Sequence, residues 1–146
     1  MAQTIGKIIT LFISSSKTKT RLEKENLHLN TKGIIEDKYY NRDIQRSILI
    51  TSTQSYDLVK NKNISIPFGV LGENLLIDYN PYHLVAGVKL QIGENVILEI
   101  SQHCTMCEHL SNIDTQLPTL LKDNRGIFAK VLQEGKIKRE DEIILL

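Results

Sequence analysis

The chain has 146 residues, of which 41% are hydrophobic and 24% charged, and its formal net charge is +1. This length is typical of one domain with its own hydrophobic core. The small net charge and the scattered lysines argue against nucleic acid and against an anionic membrane as partners. Residues 1–16 lack the charged leader and long apolar block of a signal peptide, and no apolar stretch has the length of a membrane span. We therefore expect a cytoplasmic protein.

Short apolar runs separated by turn residues recur along the sequence and predict strands. The β-branched run at residues 7–14 predicts the first strand, and residues 45–51 predict a second. Ser52 is suited to cap a short helix that follows this second strand. Tyr56 and Val59 lie at helical spacing within it.

The second half of the sequence predicts further strands and little helix. The predicted elements are a strand at 74–78, a hairpin at 90–101 with its turn at 93–95, one or two helical turns at 114–124, and closing strands at 126–135 and 141–146. In the hairpin, Leu98 and Ile100 share one face, and Ile97 and Glu99 share the other. Many short strands indicate a mainly β fold, a single β-barrel with a few short helices that spans the chain.

Both cysteines and two of the four histidines lie in the segment SQHCTMCEHL, residues 101–110. The residue types leave four interpretations open. They are a structural zinc site, a thioredoxin-type redox pair, inert packing, and an exposed thiolate that binds a soft metal or carries sulfur. Zinc is disfavoured because a second ligand pair is missing, and the redox pair because a parallel α/β context is missing. In a reducing compartment, Cys104 and Cys107 are candidates for chemistry rather than for a structural disulfide.

Several blocks in order make the sequence resemble the MOSC domain. This module lies at the C-terminus of molybdenum-cofactor sulfurases and occurs in molybdenum-dependent amidoxime and hydroxylaminopurine reductases. The matching residues are Gly33 and Asp37 in KGIIEDKYY, Arg46 in QRSILIT, Gly72, Glu73, Asn74 and Leu75 in FGVLGENLLI, and Arg125, Gly126, Val131 and Gly135 in the closing block. The resemblance covers most of the chain and implies a single MOSC-type barrel.

The resemblance also selects one cysteine. Stand-alone bacterial members have a Cys-x-x-Leu step shortly after a Ser-Gln pair, and residues 101–110 keep that register. It implies that Cys107 is the metal-ligating or sulfur-carrying residue, with Cys104 as the second candidate. His103 and His109 are candidates to tune the thiolate or to donate protons. The chain departs from the family in lacking the usual proline or arginine beside the cysteine, which concerns cofactor and substrate details more than the fold.

Three basic residues are candidates to bind the phosphate of a molybdopterin, namely Arg46, Arg125 and Lys130. A guanidinium matches phosphate geometry in a bidentate way. Arg125 ranks first because it stands beside Gly126 at the start of a predicted strand. The resemblance places that strand near the cysteine segment.

Four further residues are assigned cofactor-binding or loop-orienting roles by the resemblance. Gly72 would let the backbone approach a bulky pterin closely. Asn74 would supply amide donors and acceptors. Glu73 would either bind a pterin N–H or brace its loop, and Asp37 would orient a loop rather than take part in chemistry. The alternative for Gly72 is a simple turn glycine.

The resemblance implies a protein that binds the molybdenum cofactor and reduces N-hydroxylated compounds. The sequence has no Gly-x-Gly-x-x-Gly fingerprint and no four-cysteine iron–sulfur pattern, so electrons would come from a separate donor protein. One alternative is a sulfur-carrier module, in which a persulfide on Cys107 receives its sulfur from a cysteine desulfurase. Another is a non-catalytic binding domain with inert cysteines. The sequence predicts no oligomeric state.

Overall fold

The computed structural model describes residues 3–15, 21–104 and 108–146. Eleven strands and three short α-helices lie in this part of the chain. The strands are β1 (Gln3–Ser14), β2 (Arg21–Lys24), β3 (Asn26–Asn30), β4 (Gly33–Ile34), β5 (Ile48–Ser52), β6 (Leu75–Ile77), β7 (Lys89–Ile92), β8 (Val96–His103), β9 (Ile127–Gln133), β10 (Gly135–Lys138) and β11 (Glu142–Leu145). The helices are α1 (Thr53–Lys60), α2 (Glu108–Ile113) and α3 (Leu117–Leu120).

Seven of the described strands close into a barrel, which confirms the predicted fold class. Neighbouring strands follow the order β11-β7-β8-β9-β5-β6-β1, and β1 pairs back with β11. The β5–β6 pair is parallel, and the other pairings are antiparallel. Strand β2 extends the sheet beyond β1, while β10, β3 and β4 form a separate three-stranded sheet. Closure leaves the barrel strands without open edges.

Apolar side chains from strands all around the barrel fill its interior. Ile8, Ile50, Leu75, Leu90 and Leu98 are representative of this cluster, and each is almost completely buried. A second apolar cluster packs α1, α3 and the loop before β6 against the outside of the barrel. Within the described chain, no helix is long and apolar enough to cross a bilayer.

The strand and helix predictions succeed where the hydrophobic pattern is strong. The predicted hairpin is observed as β7 and β8, with Leu98 and Ile100 buried and Ile97 and Glu99 partly exposed. Ser52 caps α1, since its side-chain oxygen accepts a hydrogen bond from the backbone N–H of Gln54 at 3.1 Å. The predicted strand at 74–78 is observed as β6.

The predicted strand at 45–51 is wrong in its first part. Residues Ile44–Arg46 form a 3-10 turn, and β5 begins only at Ile48. The reason is local: the carboxylate of Asp43 accepts a hydrogen bond from the backbone N–H of Gln45 at 3.1 Å and caps the turn. Arg46 therefore lies in a turn before the strand and not on the strand itself.

Candidate functional site

Arg125 stands immediately before β9 and carries a buried positive charge. Only 7% of the surface of Arg125 is exposed to solvent. Nη2 donates a hydrogen bond of 3.2 Å to the carbonyl oxygen of Leu71. Nε and Nη1 are buried and have no hydrogen-bond partner among the described residues. Because an unsatisfied buried cation is costly, this guanidinium is the best candidate for binding an anion.

Gly72 lies beside this guanidinium. Its φ angle is +93°, a backbone conformation that residues with a side chain rarely adopt. A Cβ atom built at this position would lie 3.7 Å from Arg125 Nη2 and 3.8 Å from Leu49 Cδ2, which are ordinary contacts. Glycine is therefore required by the backbone conformation rather than by crowding. The loop backbone consequently faces Arg125 without a side chain of its own.

Gly126 allows β9 to approach β5 very closely. A Cβ atom at Gly126 would lie 2.8 Å from Leu49 Cδ1 and 3.2 Å from the carbonyl oxygen of Ile50. The carbonyl oxygen of Gly126 accepts a hydrogen bond of 3.0 Å from the backbone N–H of Cys104. The structure thus brings together Arg125, Gly126 and the start of the cysteine segment.

Cys104 is a buried free thiol with the surroundings of a packed hydrophobic side chain. It is 5% exposed and clusters with Leu49 and Phe128. Cys107 lies outside the described residues, so its assignment as the reactive cysteine stays a prediction. Among the residues that the structure describes, no three His, Cys, Asp or Glu side chains are grouped closely enough to hold a metal ion.

Two further basic candidates lie near the cluster of Leu49, Cys104 and Phe128. The guanidinium carbon of Arg46 is 4.8 Å from the ring centre of Phe128, a cation–π contact. His103 is exposed at the end of β8 and pairs with Ile127, the residue before Phe128. His109 lies in α2, at the end of the same cysteine-containing segment, residues 101–110.

Glu73 is completely buried and braces the loop before β6. Its Oε2 accepts hydrogen bonds from the hydroxyl of Tyr56 at 2.7 Å and from the backbone N–H of Gly69 at 2.9 Å. Oε1 is buried without a partner in the described part of the chain. Loss of solvation on burial raises the pKa of Glu73 above its ordinary value. Burial likewise raises the pKa of Tyr56, which keeps the phenol protonated as a donor.

The described residues include most of the motif residues identified in the sequence. A comparison with protein-family models identifies the family to which this chain belongs. The family model described as "MOSC domain" matches residues 24–144. The chain belongs to the MOSC domain family. The family resemblance inferred from the motifs is therefore confirmed.

Solved structures share the MOSC fold of this chain. The YuaD protein from Bacillus subtilis is 18% identical, with 99% of this chain and 96% of that chain covered and a TM-score of 0.83. YiiM from Geobacillus stearothermophilus is 15% identical, with coverage of 100% and 75% and a TM-score of 0.68. YiiM from Escherichia coli is 16% identical, with coverage of 100% and 70% and a TM-score of 0.63. No curated protein matches the chain significantly.

Asn74 connects strands of the MOSC barrel through its side-chain amide. Its Oδ1 accepts a hydrogen bond of 2.9 Å from the backbone N–H of Leu49, and its Nδ2 donates one of 3.2 Å to the carbonyl oxygen of Phe12. These bonds tie β5 and β1 together at the start of β6. Both ends of the amide are thus engaged by the protein itself.

Arg21 is a partly buried arginine beside Glu73 that no motif in the sequence indicates. Its guanidinium donates hydrogen bonds to the side-chain oxygen of Ser14 and to the backbone carbonyl of Glu73. Burial lowers the pKa of Arg21, while the nearby Glu73 and Asp37 partly offset this effect. Asp37 accepts hydrogen bonds from the backbone N–H groups of Ser14 at 2.8 Å and Tyr39 at 3.1 Å, the contacts of a loop-orienting residue. No sequence motif marks Arg21, because its partner Glu73 lies 52 positions away along the chain.

Lys130 is not grouped with the other basic candidates. Its ammonium lies 3.1 Å from the carboxylate of Glu99, which is its cross-strand neighbour on β8. Each of these side chains is about one quarter exposed, at 26% and 24%. Lys130 is also five residues from Arg125, up to about 16 Å of extended chain at about 3.3 Å per residue. The structure therefore gives Lys130 a partner within the barrel wall.

Proposed function

We propose that this MOSC domain binds the molybdenum cofactor and reduces N-hydroxylated compounds with electrons from a separate donor protein. The observation that carries the proposal is the buried guanidinium of Arg125. Its Nε and Nη1 have no partner in the described chain, it lies next to Gly72, and the following residue, Gly126, is hydrogen-bonded to Cys104 of the cysteine segment. Membership of the MOSC family supports the choice of cofactor.

The donor set fits the phosphate of a molybdopterin. Nε and Nη1 lie on different edges of the planar guanidinium, so each can donate its own hydrogen bond to an oxygen of a bound anion. The bare backbone at Gly72 leaves room beside Nη2 of this guanidinium. Arg46, stacked on Phe128, adds a second positive charge in the same neighbourhood. An anionic group bound here would supply the partner that Arg125 lacks.

We assign metal ligation to Cys107 rather than to Cys104. The Cys104 side chain packs against Leu49 and Phe128, and a thiol in such surroundings behaves as a small hydrophobe. Cys107 follows it at the family's position for the reactive cysteine. Cys104 is then the residue that anchors the segment, through its backbone hydrogen bond to Gly126.

The chain's own residues would bind and orient the cofactor and protonate the substrate. When bound, the cofactor would supply two-electron redox chemistry at its metal. Cleavage of an N–O bond to give an N–H group and water consumes two electrons and two protons, so a proton donor is needed nearby. His103, exposed at the end of β8, is our candidate for this donor. Arg125 and Gly72 would fix the cofactor's orientation.

Protein produced in cells with intact molybdenum-cofactor synthesis is expected to reduce an aryl amidoxime when it is supplied with a chemically reduced viologen dye. Cys107→Ser is expected to abolish this reduction, because serine is a poor ligand for a soft metal. Cys104→Ala is the matched control in the same segment and is expected to keep it, because alanine preserves the apolar cluster. Amine formation can be followed by liquid chromatography. Activity that survives in Cys107→Ser but is lost in Cys104→Ala would contradict the assignment.

A further inference from the structure

Three successive carbonyl groups around Arg125 are each held by a different part of the fold. The carbonyl oxygen of Asn124 accepts a hydrogen bond from the hydroxyl of Ser55 in α1. The carbonyl oxygen of Arg125 accepts one of 2.8 Å from the hydroxyl of Thr51 in β5. The carbonyl oxygen of Gly126 accepts one of 3.0 Å from the backbone N–H of Cys104. The backbone of residues 124–126 is thus fixed from three sides.

The Ser55 hydroxyl is itself oriented by a chain of donors. The backbone N–H of Ser52 donates to the hydroxyl oxygen of Tyr82 at 2.9 Å, and that hydroxyl lies 2.5 Å from Ser55 Oγ. Burial raises the pKa of Tyr82 to about 12, so its proton is present at neutral pH. With Tyr82 donating to Ser55, the Ser55 proton points to the carbonyl of Asn124. Thr51, Ser52 and Ser55 are all completely buried.

The far end of the Arg125 side chain is held much less firmly. Its guanidinium makes one hydrogen bond to the described residues, the 3.2 Å bond to the carbonyl of Leu71. With one hydrogen bond at the guanidinium, the position of the Cα atom is a main constraint, beside packing, on where Nε and Nη1 point. We infer that Thr51 and Ser55 are positioning residues for Arg125, whose hydroxyls fix the backbone so that the guanidinium is preorganised for an anion.

The identity of the anion rests on the proposed function. The positioning of the Arg125 guanidinium by Thr51 and Ser55 is independent of it. The hydroxyls of Thr51 and Ser55 also differ in their access to water, which predicts that removing one has a larger effect than removing the other. Ser55, Tyr82 and Asn124 line an open cleft of about 350 Å³, and Thr51 does not. In Ser55→Ala, the space left by the buried hydroxyl adjoins the wall of this cleft, so water can enter it and donate to the carbonyl of Asn124. A missing Thr51 hydroxyl leaves the carbonyl of Arg125 without a substitute, so its loss is expected to matter more.

The test uses the cofactor-free protein, inorganic phosphate as the probe, and the NMR signal of the Arg125 Nε–H group as the readout. The signal is assigned by its loss in Arg125→Met. Thr51→Val, which keeps the shape and removes the hydroxyl, is expected to weaken phosphate binding by about tenfold, the equivalent of one buried hydrogen bond. It is also expected to shift the Nε–H signal without phosphate. Thr51→Ser is expected to restore both properties, and Ser55→Ala to give a smaller effect.

The outcomes separate the inference from the proposed function. If the wild-type protein does not bind phosphate, the proposed anion site fails, and the Nε–H signal still decides the positioning. A shift in Thr51→Val that is reversed in Thr51→Ser supports the inference. An Nε–H signal and a phosphate affinity that are both unchanged in Thr51→Val overturn it. If Thr51→Val does not fold, an unchanged Nε–H signal in Ser55→Ala overturns it in the same way.

Discussion

Replacing Arg125 by methionine is expected to abolish retention of the cofactor and to leave the barrel at least as stable as the wild type. Methionine has a similar length and suits the buried position, and it carries no charge that needs a partner. The wild-type guanidinium has two buried donors without partners among the described residues. Removing them is expected to stabilise the cofactor-free protein by up to about 1–3 kcal/mol, the cost of unsatisfied buried polar groups. Urea unfolding and molybdenum content measure the two effects.

Two variants serve as controls for this expectation. Arg125→Lys keeps the positive charge but replaces the fixed planar donors of the guanidinium by a single ammonium group, so we expect it to weaken cofactor retention as well. Arg139→Met removes an arginine that pairs with Glu23 and Glu25 on the surface, and it is expected to change neither property appreciably. A protein that is strongly destabilised by Arg125→Met and still retains molybdenum would show that the arginine has a structural role only.

Replacing Glu73 by alanine is expected to destabilise the fold by about 3 kcal/mol, since it leaves a cavity and removes the acceptor for two buried donors. Those donors are the hydroxyl of Tyr56 and the backbone N–H of Gly69. Glu73→Gln keeps an acceptor oxygen in the same place, so it is expected to be clearly more stable than Glu73→Ala. Denaturant unfolding at pH 7 compares the two variants. Equal losses of stability would contradict the bracing role.

The raised pKa of Glu73 determines the direction in which its contribution to stability changes with pH. Burial raises the pKa of Glu73 in the folded protein, whereas an unfolded glutamate titrates near about 4.3. The stability contributed by this group is therefore fully present below about pH 4.3 and is lost as the pH rises through the higher folded pKa. Glu73→Gln cannot titrate, so the difference between its unfolding free energy and that of the wild type should shift in favour of the glutamine with increasing pH. A difference that stays constant from acidic to neutral pH would contradict this.

The barrel could be predicted where local pattern and tertiary environment agree. The β7–β8 hairpin has alternating apolar residues, and Ser52 caps α1 because serine is favoured at that position. The turn at Ile44–Arg46 was missed because the Asp43 cap competes with a β-branched run that looks like a strand. Strands β2, β3 and β10 were missed because they are short and largely polar. Such segments form strands only when tertiary pairing supports them.

In the candidate site, only the residues that belong to a recognisable motif could be predicted from the sequence. Arg125 and Gly126 are indicated by their motif, and the structure places them beside the cysteine segment. Thr51 and Arg21 carry no such signal, because single polar residues acquire a role only through partners distant in sequence. Arg21, for example, donates to the backbone of a residue 52 positions away. Lys130 was grouped with the phosphate-binding candidates because strand register, which places Glu99 opposite it, is not visible in composition or motif.

Arg125 and Glu73 both have buried polar atoms without hydrogen-bond partners among the described residues. Arg125 has two donors and Glu73 has one oxygen without partners in the described residues, and each lowers the stability of the cofactor-free fold. Glu73 nevertheless holds its loop in place through Oε2. Such local costs are typical of sites that bind a ligand, because the ligand supplies the missing partner. They also explain why Arg125→Met is expected to gain stability while it loses the proposed cofactor binding.

Cofactor binding through Arg125 and Cys107 is tested most directly by native mass spectrometry combined with elemental analysis. The protein should be freshly purified from cells with intact cofactor synthesis. We predict a mass increment that corresponds to one bound cofactor, a matching amount of molybdenum, and the loss of both in Arg125→Met and in Cys107→Ser. A wild-type protein that carries only the mass of its polypeptide and no molybdenum, under conditions in which other molybdenum proteins of the same cells are loaded, would contradict the proposal.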